Sequence, residues 1–568
     1  MFKATGVPST VSAPSTSRTS RPRARRASPT SRARSTNSGV PAVTNTEQPY
    51  TRWSPSGCSA FGTARTDEPR RSCRGGRGGP AGPIGDRASG RGGGRRYRDR
   101  VTPDRFQATL AEVGPLAEAF VAAGHRLYLV GGIVRDRFLG LEATPGDDID
   151  LTTDARPDEI LRLVRPLADA TWEQGARFGT IGCRIGGRAF EITTHRAEAY
   201  ASDSRKPVVD YSDDVEADLA RRDFTVNAMA LEVPEPRLVD PFDGAADLAA
   251  GRLRTPLAPE VSFSDDPLRM MRAARFIAGY GLDPDPALVA AVHEMAPRLD
   301  IVSAERIRDE LDKLIVVDDP SAGLWFLHDT GLAERFLPEL PRMRLEQDPI
   351  HRHKDVLAHT IAVVAKVRPR LPDGTPNRIT RLAALFHDVG KPKTRSYAKG
   401  KGVTFHHHEV VGARMTRERM QALRYSKDDV EAVTRLVELH LRFHTYRLGW
   451  TDSAVRRFVR DAGPLLSELI ELTRCDCTTR NQRKAQTLSR RMDELEARIA
   501  ELEAEEELRA MRPDLDGQAV MDRLGIPPGR AVGEALAFLL DLRMEEGPLG
   551  PEEAGRRLDA WWAGRDPT

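Results

Sequence analysis

The sequence predicts an α+β protein in which a small mixed head precedes helical domains. Helical and strand patterns alternate from Val101 to about Leu257, whereas helical spacing follows from Ser264 onward. A chain of 568 residues is also too long for one core and is typical of three or four domains. We expect a tail at 1–104, a head at 105–257, a helical neck at 258–340, a second helical domain at 341–480 and a C-terminal helical region at 481–568.

The first hundred residues differ in charge from the rest of the chain. They contain 20 Lys+Arg and 5 Asp+Glu, a net charge of +15, whereas the whole chain carries +3, so that the remainder carries −12. This tail is rich in Arg, Ser, Gly and Pro and cannot bury enough apolar surface to fold, so we expect disorder. Three interpretations stay open: an RNA-binding arm, a targeting peptide, or the product of a start site assigned too far upstream.

The composition indicates a soluble protein of a reducing compartment. Charged residues make up 30% of the chain and the mean hydropathy is −0.47. We find neither an apolar run of membrane-spanning length nor the apolar core of a signal peptide. Five cysteines, two of them in the tail, do not form a disulfide framework. We therefore expect a cytoplasmic protein without membrane contact.

A glycine pair early in the head predicts a phosphate-binding turn. A short apolar strand at 127–130 stops at Gly131 and Gly132, and an amphipathic helix follows until Gly140. A strand that opens a helix through glycines offers backbone N–H groups and the positive end of the helix dipole to a phosphate. The first helix of the head is expected before this turn, at 106–123.

Two carboxylates follow this turn on a second strand. Asp148 and Asp150 are two residues apart and therefore project from one face of the strand. Paired carboxylates attract hard cations such as Mg²⁺, which usually also hold substrate phosphates. Glu191 lies in a hairpin closed by glycines at 186–187, and sheet pairing would bring it near as a third carboxylate; a solvent-facing glutamate is an equal alternative. The combination predicts nucleotidyl transfer assisted by two metal ions.

The later part of the head is expected to alternate further. We expect a helix at about 157–167 and a flexible polar loop at 198–217. A helix should then begin in the run ADLARRDFTVNAMAL, with Arg221, Arg222 and Asp223 near its start.

The first neck helix carries a charged stripe. Ser264 is its expected N-cap and Pro267 lies in its first turn. The stripe consists of Asp266, Arg269, Arg272 and Arg275. A charged stripe is usually a solvated face, but one acid followed by three arginines without acidic partners is better suited to a nucleotide.

The pair Asp266 and Arg269 matches the edge of two nucleobases. Cytosine and adenine present an amino donor beside a ring-nitrogen acceptor, which a carboxylate and a guanidinium complement. Guanine and uracil present the opposite order. The pair should therefore accept CTP and ATP and reject GTP and UTP.

The second helical domain carries histidines and aspartates that are suited to a metal site. These residues are His359, His387, Asp388, His408, His440 and Asp476. Such a mixed N/O set, spread over several helices, is typical of a site for a divalent transition metal or Mg²⁺. At the C-terminal end, 492–508 predicts one amphipathic helix, and Trp561 and Trp562 should close a helical core.

These motifs together resemble a known enzyme family. LVGGIVRD, DDIDLTT, DLARRDFTVNAMA and DDPLRMMRAARF are similar to motifs of bacterial class II CCA-adding tRNA nucleotidyltransferases and the related bacterial poly(A) polymerases. AALFHDVGKP with its flanking histidines resembles the HD phosphohydrolase domain that many of those enzymes carry. The resemblance covers roughly residues 105–480 and implies a polymerase-β-like head followed by neck, HD and tail domains.

The resemblance also implies roles for individual residues. It implies triphosphate contacts by Gly132 and Arg135, beside Gly131, and metal ligation by Asp148 and Asp150. It implies a nucleotide contact by Arg222, a position near the sugar for Asp223, and base recognition by the helix that carries Asp266, Arg269, Arg272 and Arg275. The family usually has Glu-Asp where this chain has Asp265-Asp266, which preserves the acidic residue.

The expected reaction is the addition of C, C and A to the 3′ end of tRNA. The tRNA 3′-hydroxyl would attack the α-phosphate of CTP or ATP in line, with Mg²⁺ at Asp148 and Asp150. The alternatives are poly(A) synthesis, addition of CC or A alone, and an HD phosphohydrolase with an RNA-binding head. Proteobacterial poly(A) polymerases carry Gly-Arg-Arg-Phe-x-Leu where this chain reads GARFGT at 175–180, which favours CCA addition.

Overall fold

The computed structural model describes most of the chain beyond the tail. The described residues are 105–141, 148–196, 211–345, 355–398, 402–443, 450–477, 482–506 and 512–565. The predicted tail and most of the predicted loop at 198–217 lie outside these residues. Within the described residues, no helix combines the length and the apolar character that a membrane span requires.

The head is built on one mixed β-sheet. Its strands are β1 (Leu127–Val130), β2 (Ile149–Thr153), β3 (Ala170–Trp172), β4 (Thr180–Ile185), β5 (Arg188–Thr194), β6 (Ala230–Val233) and β7 (Arg237–Val239). Its helices are α1 (Gln107–Ala122), α2 (Gly132–Leu139), α3 (Pro157–Val164), α4 (Val215–Ala220) and α5 (Gly244–Ala250). The described strands follow the order β3-β4-β5-β2-β1-β6-β7, with β2 parallel to β5 and β1 antiparallel to both β2 and β6. The mixed head that the sequence predicts is confirmed.

The centre of the sheet is buried, which explains its apolar strands. All four residues of β1 are buried, and Leu129 packs with Leu151 and Ile192 in the core of the head. Helix α1 covers this core with Phe120, which is fully buried. The predicted hairpin is confirmed: Gly186 and Gly187, with φ of 57° and 82°, connect β4 to β5 in the conformation that favours glycine.

The predicted helix at 217–231 is wrong. Helix α4 ends at Ala220, so that Arg221, Arg222 and Asp223 follow a helix instead of starting one. A short 3₁₀ turn at Thr225–Asn227 then leads into β6, which pairs with the central strand β1. The apolar spacing of this run suits a helix, but pairing with the buried β1 favours a strand. The predicted loop was also too long, because α4 begins at Val215.

Helices dominate the chain after the head. The neck helices are α6 (Pro259–Asp265), α7 (Leu268–Tyr280), α8 (Pro286–Met295), α9 (Ala304–Ile315), α10 (Ser321–Asp329), α11 (Ala333–Phe336) and α12 (Glu339–Arg342). The next helices are α13 (Val356–Lys366), α14 (Arg378–Phe386), α15 (Lys391–Thr394), α16 (His408–Ala422), α17 (Lys427–Leu439), α18 (Asp452–Ala462), α19 (Leu466–Asp476) and α20 (Gln482–Glu506). The last are α21 (Gly517–Leu524), α22 (Arg530–Glu546) and α23 (Pro551–Ala563).

The expectation of purely helical structure after Ser264 is wrong in two places. The short strands β8 (Arg252–Leu253) and β9 (Asp283–Pro284) pair in parallel and connect the end of the head to the neck. A second pair, β10 (Ser396–Ala398) and β11 (Gly402–Thr404), forms a hairpin between α15 and α16. Strands of two or three residues leave too little alternation for the sequence to reveal them.

Ser264 is not the N-cap of α7, the helix that carries the arginine stripe. It lies inside α6, which ends at Asp265. The next residue, Asp266, has an extended backbone, with φ −142° and ψ 100°, because a proline follows it. Helix α7 then begins at Leu268, whose N–H donates to Asp266 Oδ1 at 3.1 Å. The break places Asp266 at the start of α7 with its carboxylate fixed against the helix N-terminus.

One continuous hydrophobic core connects the neck to the following helices. It runs from Phe224 at the end of the head to Leu502 in α20, and therefore continues past residue 480. Leu495 and Ile499 of α20 are buried in it, which confirms the predicted amphipathic helix. The C-terminal helices form a separate core of their own, against which Trp561 packs.

Candidate functional site

The glycine turn, a carboxylate and an arginine meet at one point of the head. Gly131 has φ 72°, and a Cβ atom at this position would lie 3.7 Å from Asp150 Oδ2 and 3.2 Å from Arg222 Nη1. The eight-residue helix α2 begins at the next residue, with its N–H groups at this end. The glycine therefore permits a backbone approach that brings the start of α2 beside the charged pair of Asp150 and Arg222.

The three predicted carboxylates lie together on the sheet. Asp150 and Glu191 are Cα partners across the parallel pair β2–β5, so their side chains share a face. Asp148 directly precedes β2 and is close enough to act on Asp150 electrostatically. Although Asp150 is accessible to solvent, desolvation by surrounding atoms, together with Glu191 and Asp148, raises its pKa to about 6 against the opposing charge of Arg222. Such a cluster of negative charge fits a divalent cation; the role of Glu191 stays a prediction.

Arg135 lies in the interior and connects α2 to its surroundings. Its Nη1 donates to Asn227 Oδ1 at 2.6 Å and its Nε donates to Asp136 Oδ1 at 2.8 Å. The guanidinium also lies over the ring of Tyr280 in the neck, 4.2 Å from its centre. The predicted triphosphate contact of Arg135 stays a prediction. The contacts that Arg135 forms in this structure connect α2 to the neck. A Cβ atom at Gly132 would lie 3.4 Å from Arg135 Nη2.

Arg222 is held towards the glycine turn by an acid of the preceding helix. Its Nη2 donates to Asp218 Oδ2 at 3.1 Å, and Asp218 is buried. Its buried Nε finds no hydrogen-bond partner in the described structure. A guanidinium fixed on one side and unsatisfied on the other fits a phosphate oxygen.

Asp223 is bound to the neck. It accepts hydrogen bonds from Arg272 Nε at 2.8 Å and from Asn227 Nδ2 at 2.9 Å. Burial disfavours its charge, but Arg272 and Asn227 outweigh burial and lower the pKa of Asp223 to about 2. The predicted position near a sugar stays a prediction; the observed contacts fix α7 to the head.

The predicted base readers are both held by other residues. Asp266 Oδ2 accepts from Arg306 Nη2 of α9 at 2.7 Å, while Oδ1 caps the helix. Arg269 Nη1 donates to the backbone and hydroxyl oxygens of Ser262 at 3.2 and 2.8 Å, and Nη2 donates to the carbonyl of Arg221. Two polar groups of opposite sign are thus fixed at the start of one helix; their role in base selection stays a prediction.

The expectation that the arginine stripe lacks acidic partners is wrong. Arg272 pairs with Asp223 of the head, and Arg275 Nε donates to Glu310 Oε2 at 2.8 Å. Glu310 is almost fully buried in α9, and Arg272 Nη1 lies 3.6 Å from its other oxygen. These partners lie 35 to 49 residues from the arginines along the chain. Sequence spacing carries no signal for such pairs, and Arg306, 40 residues from Asp266, was missed for the same reason. Ser262 is only seven residues from Arg269 and was missed because the extended backbone at Asp266, between α6 and α7, was not predicted.

All six predicted histidines and aspartates of the second domain converge. We name this cluster the HD centre; it consists of His359, His387, Asp388, His408, His440 and Asp476. They form two groups that share Asp388: His359 and His387 with Asp388, and Asp388 with His408 and His440.

Asp388 stands between the two groups. Its Oδ2 lies 3.2 Å from His387 Nε2 and 3.5 Å from His359 Nε2, whereas its Oδ1 lies 3.3 Å from His408 Nε2. Asp476 Oδ1 approaches His359 Nε2 at 2.9 Å and His387 Nε2 at 3.6 Å. One carboxylate thus offers an oxygen to each side, as a ligand shared between two positions would.

Three of the histidine rings are oriented for metal binding. Nδ1 of His387, His408 and His440 each bonds the backbone carbonyl three residues earlier, at 2.8, 2.8 and 2.6 Å. A carbonyl can only accept, so Nδ1 carries the proton and Nε2 presents its lone pair to the centre. Nε2 of His408 and of His440 and Oδ1 of Asp388 are buried without a hydrogen-bond partner in the described structure. The lone pairs of these three atoms are therefore free to ligate one or two divalent cations.

The electrostatics of the HD centre favour a positive charge. Burial opposes the protonation of His387, but the carboxylates of Asp388 and Asp476 outweigh it and raise its pKa to about 10. Burial and the neighbouring His387 lower the pKa of His440 to about 3. A divalent cation would compensate the negative charge of the two carboxylates in place of a proton on His387, and it would bind neutral imidazoles.

Comparison with known proteins identifies the domains in which the two clusters lie. Residues 127–254 match the poly A polymerase head domain, 281–343 match the probable RNA and SrmB-binding site of polymerase A, and 356–500 match the HD domain. An A-adding tRNA nucleotidyltransferase of Deinococcus radiodurans is 34% identical over 450 residues, which cover 77% of this chain and 96% of that protein. The chain belongs to the tRNA nucleotidyltransferase family.

Other members of this tRNA nucleotidyltransferase family are similar over shorter stretches or in fold. The CCA-adding enzyme of Latilactobacillus sakei is 38% identical over 236 residues, 41% of this chain and 57% of that protein. The fold is similar to a crystal structure of the Bacillus stearothermophilus CCA-adding enzyme with CTP, with a TM-score of 0.56 and 23% identity over 81% of this chain and 98% of that one. The predicted enzyme class, a nucleotidyltransferase with an HD domain, is confirmed.

Proposed function

We propose that this nucleotidyltransferase adds CCA to the 3′ ends of tRNA from CTP and ATP, with release of pyrophosphate. The observation that carries this proposal is the approach of Asp150 Oδ2, from β2, and Arg222 Nη1, from the segment after α4, to the backbone of Gly131. A triphosphate could bind the turn and Arg222 while its metal ions bind the carboxylates. The names of relatives, A-adding and CCA-adding tRNA nucleotidyltransferases, support the same class of substrate.

The carboxylates fit a pair of Mg²⁺ ions. When bound, Mg²⁺ would lower the pKa of the tRNA 3′-hydroxyl and neutralise negative charge on the pyrophosphate leaving group. Asp148 and Asp150 would hold the cations on one face of β2, with Glu191 beside them on β5. Arg222 would bind a phosphate oxygen through the side that its contact with Asp218 leaves unsatisfied. The 3′-hydroxyl and the α-phosphate would thus be aligned by groups that are already in place.

Base selection would occur at the start of α7. Asp266 would accept the amino hydrogen of cytosine or adenine, and Arg269 would donate to the adjacent ring nitrogen. Each oxygen of a carboxylate has two lone pairs, so Asp266 can serve the base while it keeps its bonds to Arg306 and to the helix N-terminus. The contacts of Arg269 with Ser262 and with the carbonyl of Arg221 would hold the guanidinium in the required orientation.

A stepwise addition assay tests this proposal. Purified protein is given tRNAs that end before CCA, after C or after CC, with each NTP alone and with CTP plus ATP. We expect two C residues and then one A, after which addition stops. Extension of only the CC-ended tRNA by one A would instead indicate an A-adding enzyme like the D. radiodurans relative, and long A tails would indicate poly(A) synthesis. Absence of any addition would contradict the proposal.

A second candidate function is hydrolysis of a phosphate ester at the HD centre. Three buried lone-pair-bearing atoms without a hydrogen-bond partner in the described residues, Nε2 of His408 and of His440 and Oδ1 of Asp388, favour it over a purely structural cluster. A bound divalent metal ion would provide an activated water for attack on phosphorus. Metal analysis and hydrolysis of a general phosphodiester, bis(p-nitrophenyl) phosphate, test it. Hydrolysis should persist in Asp150→Asn and disappear in His387→Ala; hydrolysis by neither the wild type nor Asp150→Asn would exclude this activity.

A further inference from the structure

A basic segment separates two residues of the HD centre. Residues 389–405 lie between Asp388 and His408 and contain five Lys or Arg residues and no Asp or Glu. Beyond residue 100 the chain carries a net charge of −12, so this segment has the opposite sign to that part of the chain as a whole. A local positive run on an acidic body is typical of a surface that binds a polyanion. We name this segment the HD hairpin.

The HD hairpin folds back on itself next to the HD centre. Helix α15 leads into β10, which pairs with β11, and the side chains of Ser396 and Thr404 bond across the pair at 2.9 Å. The start of the segment approaches the first turn of α16 because position 390 is a glycine. A Cβ atom on Gly390 would lie 2.1 Å from the carbonyl oxygen of His408, so no other residue permits this approach.

Both ends of the HD hairpin bond to the HD centre. At one end, Lys391 Nζ donates to Asp388 Oδ2 at 2.6 Å and lies 5.9 Å from the centre of the Phe405 ring. At the other end, the carbonyl of Phe405 accepts a hydrogen bond from His408 Nδ1 at 2.8 Å. If a ligand binds along this hairpin, the part of the ligand next to Lys391 and Phe405 lies at the HD centre.

The exposed part of the HD hairpin pairs an aromatic ring with cations. Tyr397 is 67% exposed, the highest fraction among the large apolar side chains of the described residues. Arg395 Nη2 donates to its hydroxyl at 2.9 Å, and the Arg395 guanidinium lies 5.6 Å from the centre of its ring. Lys393 is exposed on the same short stretch. Stacking rings beside phosphate-binding cations are the means by which proteins bind single-stranded nucleic acid without reading sequence.

We propose that the HD hairpin binds a nucleotide unit of single-stranded RNA and presents its phosphate to the HD centre. A base stacks on Tyr397, the backbone phosphates pair with Lys393 and Arg395, and the terminal phosphate lies towards Lys391 and Asp388. The presentation step rests on the proposed hydrolytic function of the HD centre, whereas the binding step does not. A free nucleotide shares this chemistry and is the second source of the ligand.

Binding without metal or NTP tests the inference. Full-length protein treated with EDTA is titrated against a fluorescein-labelled ten-nucleotide oligo(A) with a 3′-phosphate, and anisotropy is recorded at several salt concentrations. We expect Tyr397→Ala to weaken binding roughly tenfold and Tyr397→Phe to retain it, because the ring and not the hydroxyl stacks. Lys393→Ala and Arg395→Ala should each reduce the slope of log K against log salt by about 0.7. Arg530→Ala removes a 93% exposed side chain that pairs with Glu534, far along the chain, and should leave the slope unchanged.

The outcomes separate this inference from the proposed function. Competition by AMP at a similar affinity would assign the ligand to free nucleotides, and competition only by longer RNA would assign it to RNA; both support the shared chemistry. If Tyr397→Ala weakens binding while no hydrolysis or addition is detected, the proposed activities fail and the hairpin site stands. Equal affinities and equal salt slopes for the wild type, Tyr397→Ala and Arg395→Ala would overturn the inference. An unchanged thermal midpoint of Tyr397→Ala shows that the fold is intact.

Discussion

Gly131 determines how closely the sheet, the helix and the charged groups of the head approach each other. Its φ of 72° lies in the region that side chains rarely adopt, and the space where a Cβ would stand adjoins Asp150 and Arg222. Backbone strain and local crowding are thus separate reasons for glycine at this position, and a matched pair of variants can distinguish them.

Gly131→Ala should impair catalysis beyond its effect on stability. We expect a loss of roughly 1–3 kcal/mol in the free energy of unfolding from strain and at least a tenfold lower kcat/KM for CTP, about the factor that one displaced phosphate contact accounts for. Gly124→Ala is the control, because Gly124 also has a positive φ, 85°, but a Cβ there meets nothing within 4 Å. It should lose similar stability and keep kcat/KM. Equal kinetic effects of the two changes would refute the assignment of Gly131.

Arg306 should affect base choice through Asp266. Its guanidinium is half exposed and holds the Asp266 carboxylate at 2.7 Å, so its contribution is orientation and not bulk stability. We expect Arg306→Ala to reduce the preference for CTP over UTP by about three- to tenfold, mainly through KM for CTP, and Arg306→Lys to restore part of it. The preference is measured as the ratio of kcat/KM values for single additions.

Arg335→Ala is the matched control for Arg306. Arg335 forms a similarly exposed ion pair with Asp300 in the neck without contacting Asp266. Its removal should leave the CTP preference unchanged. A preference in Arg306→Ala that equals that of Arg335→Ala would show that Asp266 is positioned without Arg306.

At the residue scale, the sequence was informative where the chemistry is local. Gly131, Gly132, Asp148 and Asp150 lie within twenty residues, so strand and helix geometry alone predicts their proximity. The partners of Arg272 and Arg275 could not be found in this way, because Asp223 and Glu310 belong to other elements. Contacts of this kind depend on the packing of α7 against α9 and the head, which spacing along the chain does not encode.

At the element scale, one buried arginine connects the neck to the HD domain. Arg381 of α14 is completely buried and donates to the carbonyls of Ile315, Val367 and Asp318. These carbonyls lie at or beyond the C-terminal ends of α9 and α13, where helical partners are missing. A single side chain therefore satisfies the ends of two helices from neighbouring regions.

Arg381→Met should destabilise the chain strongly. Several buried carbonyls would lose their donor, and we expect the free energy of unfolding to fall by about 3–5 kcal/mol. Urea unfolding followed by circular dichroism measures this loss. Arg368→Ala is the control, since Arg368 is about half exposed and pairs with Glu471 at the surface, and its loss should cost less than about 1 kcal/mol. Similar midpoints for the two variants would show that Arg381 does not connect the regions.

The order of elements was predictable except where tertiary pairing overrides local preference. The run at 217–231 has helical spacing, yet it forms the end of α4, a turn and the strand β6, because β1 requires a partner on that side. At Asp266, by contrast, local sequence explains the observed structure. The residue before a proline avoids the helical region, so Pro267 interrupts the helix at Asp266. The same proline argument excludes Ser264 as the cap.

At the scale of the whole molecule, the two candidate metal sites differ in the ligand atoms that they offer. The head offers carboxylate oxygens alone, whereas the HD centre combines four histidines with two aspartates. Oxygen ligands favour Mg²⁺, and imidazoles favour transition metals. The two centres also belong to different hydrophobic cores, so that each should respond to its own metal.

Removal of a transition metal should lower the stability of the HD domain without affecting the head. A metal at a hundred times its Kd would stabilise the folded state by about 2.7 kcal/mol. We therefore expect dialysis against EDTA to lower the thermal midpoint, addition of Mn²⁺ or Zn²⁺ to restore it, and His387→Ala to abolish the response. Asp150→Asn should respond like the wild type. A midpoint that is indifferent to chelation and to metal would contradict the assignment of the HD centre as a metal site.

The most direct test of the account is single-turnover addition of labelled CMP to tRNA that lacks CCA, with Mg²⁺, by the wild type and by Asp150→Asn. The change preserves size and the pairing of β2 with β5, so the thermal midpoint should stay the same. The account predicts that the rate constant falls at least a hundredfold, as expected when a metal ligand at the reacting phosphate is lost. A rate constant within threefold of the wild type would contradict it, because Asp150 would then not hold the metal at the glycine turn.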